Sequence, residues 1–216
     1  MRTVLIGCIL LLTMVGCGPN IPFVTNRNHT RKFPKIQNPN PKSIFRLEWR
    51  DGPIVSHGTA FATTIHNKLY ILSAYHVVEG EGNPIFLTDK RNLVPVHVLR
   101  TIKMPSIDVV AFEILRDPDF IKPLDNSNVM PTDQINAMGF PFAKDMRLAR
   151  GKVRKIIIDS DCDIEVGMSG GPILNNDSVV GLTTSKQIPP GGVHVPMNVI
   201  SETLTNERYE KIWKGE

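Results

Sequence analysis

The chain has 216 residues, of which 41% are hydrophobic and 21% charged, with a formal net charge of +4. That length and apolar content can bury a core, which excludes a wholly disordered chain and leaves one all-β domain or two small half-domains. The basic balance alone would suit a nucleic-acid binder, but the excess is concentrated in one stretch near the N terminus, so no nucleic-acid partner is expected.

Residues 1–16 carry a lone Arg2, then an apolar run, then small residues before Cys17. This is the layout of a secretory signal rather than of a membrane span. The end of the leader, "TMVGC", resembles the lipobox of bacterial lipoproteins, with Met14 where leucine is usual. The resemblance implies a lipidated Cys17 as the first mature residue; the other reading is an ordinary signal peptide cleaved nearby, with Cys17 as a spare thiol. Residues 17–43 contain Arg27, Arg31, Lys32, Lys35 and Lys42, no acid and five prolines. Such a composition cannot build a core and predicts an extended basic tether, either plainly solvated or touching anionic headgroups. Cys162 is then the one free thiol, so no disulfide framework is available. No cysteine–histidine cluster has metal-ligand spacing, so neither metal nor cofactor is expected.

From residue 44 the pattern changes to short alternating runs closed by Gly, Pro, Asn or Asp. Residues 44–50, 58–65, 68–74, 84–89, 93–102 and 108–115 read as strands. A stretch rich in Asp, Asn and Pro follows, and then strands at 134–140, 146–160, 170–175, 178–185 and 192–197. Residues 199–216 read as a helix with Val199, Leu204 and Ile212 as its apolar stripe. The expected domain therefore covers 44–216, with one β-unit at 44–115, a linker at 116–133, a second unit at 134–198 and the helix last.

In the second unit, "VGMSGGPIL" at 166–174 surrounds Ser169 with glycines and a proline. A serine hydroxyl becomes a useful nucleophile only beside a base, usually histidine, whose tautomer is fixed by a carboxylate. Of the six histidines, His29 falls in the tether, His66 in a hairpin turn and His97 in an alternating strand. His76 differs, because it ends an apolar strand in "SAYHVVEG", where the imidazole could stand at the strand end. Asp108 immediately precedes an apolar strand, a costly place for an acid unless a group such as an imidazole N–H bonds it. Taken singly, each has a plain structural reading: a satisfied histidine and a strand-start acid.

Together, "GTAF", "LSAYHV", "SIDVVAFEI", "AMGFP", "GMSGGPIL" and "VVGLTT" resemble, in that order and over about residues 44–205, the trypsin-like (chymotrypsin-fold) serine peptidases of the exported bacterial type. The resemblance implies an all-β fold of two six-stranded antiparallel β-barrels, the active site in the cleft between them, and a short C-terminal helix. It makes His76, Asp108 and Ser169 the triad, and the backbone N–H groups of Gly167 and Ser169 the oxyanion hole. It also puts Asp163, Ile164, Thr183, Thr184, Ser185, Gly192 and His194 at the substrate pocket. There Asp163 would attract a basic side chain, His194 an acidic one and Ile164 an apolar one, and the choice stays open. Met168 stands where digestive members carry an aspartate, so activation through an ion pair to a new N terminus is not expected. The implied function is a serine endopeptidase acting on protein or peptide substrates through an acyl-enzyme, exported and lipid-anchored to a bacterial membrane. The alternative is a catalytically silent peptide-binding or scaffold protein on the same fold.

Overall fold

The alternating runs do fold as strands, in two antiparallel sheets. The structure is a computed structural model and describes residues 42–88, 90–115, 121–127, 134–155, 159–187 and 191–214. The leader 1–16, Cys17, the tether up to residue 41 and most of the linker lie outside the described residues. Strands β1 (Ile44–Asp51), β2 (Ile54–Ile65), β3 (Lys68–Ala74), β4 (Asn83–Leu87), β5 (Val98–Met104) and β6 (Val109–Ile114) form the first sheet, in the order β4-β1-β2-β3-β6-β5. Strands β7 (Gln134–Gly139), β8 (Arg147–Lys155), β9 (Asp159–Ser160), β10 (Pro172–Asn175), β11 (Ser178–Gln187) and β12 (Gly191–Pro196) close into a barrel, in the order β10-β11-β12-β9-β8-β7. Helix α1 (Met197–Lys214) follows directly. Among the described residues no helix is long and apolar enough to cross a membrane.

Two expectations need adjustment. The first unit has the six antiparallel strands expected but is a half-barrel, left open between β4 and β5 at its edges. Pro95, which has no N–H to give to a ladder, lies between those edges, and the strand expected over 93–102 begins only at Val98. Leu93 makes a single bridge to Leu87. The run 146–160 is likewise two strands, β8 and β9, which pair with each other.

The core of the first sheet is aromatic. Phe45, Trp49, Phe86 and Phe112 are all at most 4% exposed, and Phe86 meets the edge of Phe112 at 5.4 Å between centroids. Burying each such side chain contributes about 1.5–3 kcal/mol. β2 departs from alternation, because every residue from Gly58 to Thr63 is buried. One face of this stretch fills the first core, while Thr59 and Thr63 reach other parts of the chain. The described part of the linker runs along that seam. Leu124 bridges Thr63 of β2, and Asn126 bridges Val179 of β11, so the connection is itself a strip of extended chain bonded to both sheets.

Candidate active site

The register of β3 and β6 brings the first two candidate residues together. Ala74 pairs with Val109, so the residues just after the one and just before the other lie side by side. β3 ends in a single 3-10 turn over Tyr75–Val77, and another at Pro105–Ile107 leads into Asp108. Asp108 has φ 53°, the left-handed region that Asp adopts more readily than most residues. Its carbonyl accepts from the Tyr75 N–H at 3.1 Å. Its carboxylate receives the His76 backbone N–H at 2.9 Å through Oδ1 and faces His76 Nδ1 at 2.8 Å through Oδ2. A carboxylate can only accept, so Nδ1 carries the proton and Nε2 is left as the free acceptor. The Asp108 hydrogen bond raises the His76 pKa above 6.5; partial burial opposes this, and the charges of Asp108 and Glu79 add to it.

Ser169 comes from the barrel, in the turn before β10. Two peptide planes around it are pinned. The Val166 carbonyl accepts from Phe142 N at 2.8 Å, and the Met168 carbonyl accepts from Gly171 N at 3.0 Å. In a trans peptide the N–H points opposite to the C=O, so the N–H groups of Gly167 and Ser169 are directed to the side away from those partners. Neither donates to another backbone group among the described residues. The Glu165–Met168 turn that carries them closes through Met168 N to Glu165 O at 3.0 Å, with Gly167 at φ +93°. A glycine is required there on two counts: the positive φ, and a backbone so close that an added Cβ would lie 2.7 Å from Phe140 O. A loop with two unspent N–H donors and an adjacent hydroxyl can hold an oxyanion beside a nucleophile.

The hydroxyl itself is turned away from the histidine. Ser169 Oγ donates to the Thr184 carbonyl at 3.1 Å, so the serine–histidine bond expected of a triad is not the one made in this structure. A change of χ1 between staggered positions is enough to release the hydroxyl from that carbonyl.

The expected pocket residues separate into two groups. Ile164, Gly192 and His194 are packed together: a Cβ on Gly192 would lie 2.6 Å from both the Ile164 and His194 side chains. Thr183 sits opposite His194 in the β11–β12 ladder, and Thr184 Oγ1 donates to Val193 O at 3.2 Å. His194 is 8% exposed, its Nε2 bonded to Ser160 Oγ at 2.5 Å, while its Nδ1 and the Thr183 hydroxyl have no hydrogen-bond partner among the described residues. Burial lowers the His194 pKa to about 4, so the ring is neutral at pH 7. Asp163 and Ser185 are exposed instead. Asp163 pairs with Arg147 at 3.3 Å, and Arg147 also binds Glu165. Among the described residues no three His, Cys, Asp or Glu side chains are grouped so as to hold a metal ion. Three contributors escaped the sequence reading: Glu79, which acts on His76 through its charge, the Phe142 N–H, and Thr59, which lay inside the quoted "GTAF" with nothing local to mark its role.

Residues 58–182, more than half of the chain, match the trypsin-like peptidase domain. The chain belongs to the trypsin-like peptidase family. It is 29% identical over 189 residues to the magnetosome formation protease MamE of Paramagnetospirillum magneticum, with 77% of this chain and 24% of MamE aligned. It is 26% identical to a probable periplasmic serine endoprotease DegP-like of Marinomonas sp., covering 77% of this chain and 39% of that protein. The chain thus spans about a quarter to two fifths of these trypsin-like relatives' lengths. Among solved structures, the active form of the Rv3671c protease from M. tuberculosis superposes with a TM-score of 0.65 at 18% identity, covering 76% of this chain and 80% of that one. The serine endoprotease from Yersinia pestis gives a TM-score of 0.66 at 16% identity, over 77% and 62%. At those identities the likeness is one of fold.

Proposed function

We propose that this trypsin-like chain is a serine endopeptidase that cleaves protein or peptide substrates through an acyl-enzyme. The observation that carries the reading is the His76–Asp108 pair, with Nε2 free, across from a serine loop that holds two directed N–H donors. Substrate binding frees the Ser169 hydroxyl from Thr184. His76 Nε2 takes its proton as Ser169 Oγ attacks the scissile carbonyl, and Asp108 stabilises the imidazolium. The tetrahedral oxyanion sits on the Gly167 and Ser169 N–H groups. His76 then returns the proton to the leaving amine, and water reverses the sequence to release the acid. For the side chain preceding the cleaved bond we favour an uncharged one: Asp163 is engaged by Arg147 in solvent, and His194 is neutral beside Ile164 and Gly192.

The experiment is labelling with a fluorophosphonate, which reacts with an activated serine, alongside casein cleavage. Wild type labels and cleaves; Ser169→Ala and His76→Ala do neither. A Ser169→Ala protein that still cleaved at the wild-type rate would overturn the assignment, and a wild type that never labels would point to the silent binding protein. We further propose that the domain is exported and held to a bacterial membrane by lipid on Cys17, with residues 17–43 as tether. This reading is supported by the leader and its "TMVGC" end. A chain beginning at Lys42 is then soluble and active, and mass spectrometry of the native N terminus finds a lipidated Cys17. An unmodified residue other than Cys17 at that terminus removes the anchor and leaves the peptidase reading standing.

A further inference from the structure

Thr59 of β2 is fully buried, and every polar group it has is used. Its carbonyl accepts from Ser73 Oγ at 2.7 Å within the first sheet. The other groups all reach the barrel. Its N–H donates to the Ser169 carbonyl at 2.8 Å. Its hydroxyl donates to the Gly167 carbonyl at 2.8 Å and accepts from Phe140 N at 2.9 Å. One residue of the first sheet therefore binds two carbonyls of the nucleophile loop, that of Gly167 through its hydroxyl and that of Ser169 through its backbone N–H, and its hydroxyl also binds the segment that supports that loop.

The supporting segment matters because of what it does two residues later. Phe142 N holds the Val166 carbonyl, and thereby the direction of the Gly167 N–H. The Thr59 hydroxyl thus links the two ends of a short rung system, Phe140 to Gly167 and Phe142 to Val166. Arg46, opposite Thr59 in the β1–β2 ladder, clamps the same segment independently. Its guanidinium lies over the Phe140 ring at 5.3 Å and donates to the Lys144 carbonyl at 2.6 Å. Removing the hydroxyl alone leaves a buried N–H on Phe140 and a buried carbonyl on Gly167 without partners. Satisfying them requires the Phe140 segment or the Gly167–Met168 peptide to shift, and a shift of that segment displaces the Phe142 N–H that fixes the Val166 carbonyl and with it the Gly167 N–H.

We propose that Thr59 is a positioning residue for the oxyanion donors, holding the Gly167 N–H in its directed orientation before substrate arrives; this rests on the peptidase reading above. The hydroxyl touches no reacting atom, so its effect is felt where charge develops on the substrate oxygen and not where the substrate is first bound. That separates it from a residue that merely keeps the two sheets together.

The test uses Thr59→Val, which keeps the shape and removes the hydroxyl, and Thr59→Ser, which restores it. Activity is measured per active site titrated with a fluorophosphonate. The expected result for the valine variant is a kcat lower by roughly 10- to 100-fold, below the loss for removing an oxyanion donor outright, with KM within about twofold of wild type. Affinity for a peptide aldehyde, which forms the tetrahedral adduct, falls in parallel with kcat/KM, and the serine variant recovers most of both. If the valine protein does not fold, Thr59→Cys gives the same split to a smaller extent, since a thiol bonds weakly. Titrated sites that turn over at the wild-type kcat, whatever their number, overturn the proposal, as does a loss confined to KM. A wild type that neither labels nor cleaves overturns the peptidase reading and this proposal together.

Discussion

Lowering the pH should destabilise this protein through His194. The ring is 8% exposed, and burial takes its pKa from 6.5 to about 4. A depressed value means the folded state favours the neutral ring, so the stabilising contribution is present above pH 6.5 and is lost as the pH falls toward 4. At pH 4.5 the unfolded chain is almost fully protonated at this position and the folded chain only about a quarter so, which costs on the order of 2 kcal/mol relative to pH 7.5. His76 acts in the opposite sense, because its pKa is raised: its contribution is complete below 6.5 and lost as the pH rises through the raised value. The comparison must therefore be between His194→Gln and the unaltered residue, both carrying Ser169→Ala to prevent self-digestion. Urea unfolding at pH 7.5 and 4.5 gives the two stabilities. The histidine protein should lose on the order of 2 kcal/mol more than the glutamine protein over that interval. Equal losses would mean that the folded ring takes up its proton as readily as the unfolded one, and the account of a sealed, neutral His194 would be wrong.

The acid limb of the rate profile should lie above pH 6.5, because the base must be neutral and Asp108 and Glu79 raise the His76 pKa; Glu79→Gln should move it downward, and a profile flat to pH 5 would remove His76 from that role. Asp108→Asn should lower kcat by about 10⁴-fold while the fold survives, since the amide no longer fixes the tautomer; steady-state kinetics on a peptide substrate decide this. Gly170→Ala should cost more than about 3 kcal/mol by urea unfolding, because the new Cβ would meet Thr59 O at 2.1 Å and Ser73 Oγ at 2.3 Å. Gly52→Ala, at a similarly positive φ but with nothing within 4 Å, should cost only about 1–2 kcal/mol.

Strand positions were legible because alternation is a local signal, and the exceptions are places where the decisive contact is remote. Gly58 to Thr63 are buried without alternating because another layer covers β2. The edge between β4 and β5 depends on which chains meet, and only Pro95 hinted at it. At the site, the residue types and their order were readable, and the β3–β6 register brings His76 to Asp108. Asp163 stands at the pocket by the family resemblance, and nothing in its sequence neighbourhood announces its pairing with Arg147, which lies 16 residues away. The rotamer of Ser169 is set by the Thr184 carbonyl, 15 residues on. Thr59 is the extreme case: the partners of its hydroxyl are a backbone carbonyl and a backbone N–H, so no pattern of side chains could announce them.

The hydrogen bond from Thr59 to Gly167 spans 108 residues of chain. In a polypeptide made from its N terminus, the residues of the histidine–aspartate pair precede the serine loop, and part of that loop's support comes from β2, far earlier in the chain. Barrel closure needs β11 and β12 as well, which come last of all the strands. On the proposed peptidase reading, proteolytic competence is thus a property of the finished molecule. On that reading, a chain that ends before β10 holds the histidine–aspartate pair without the supported serine loop, so its activity waits on the last strands.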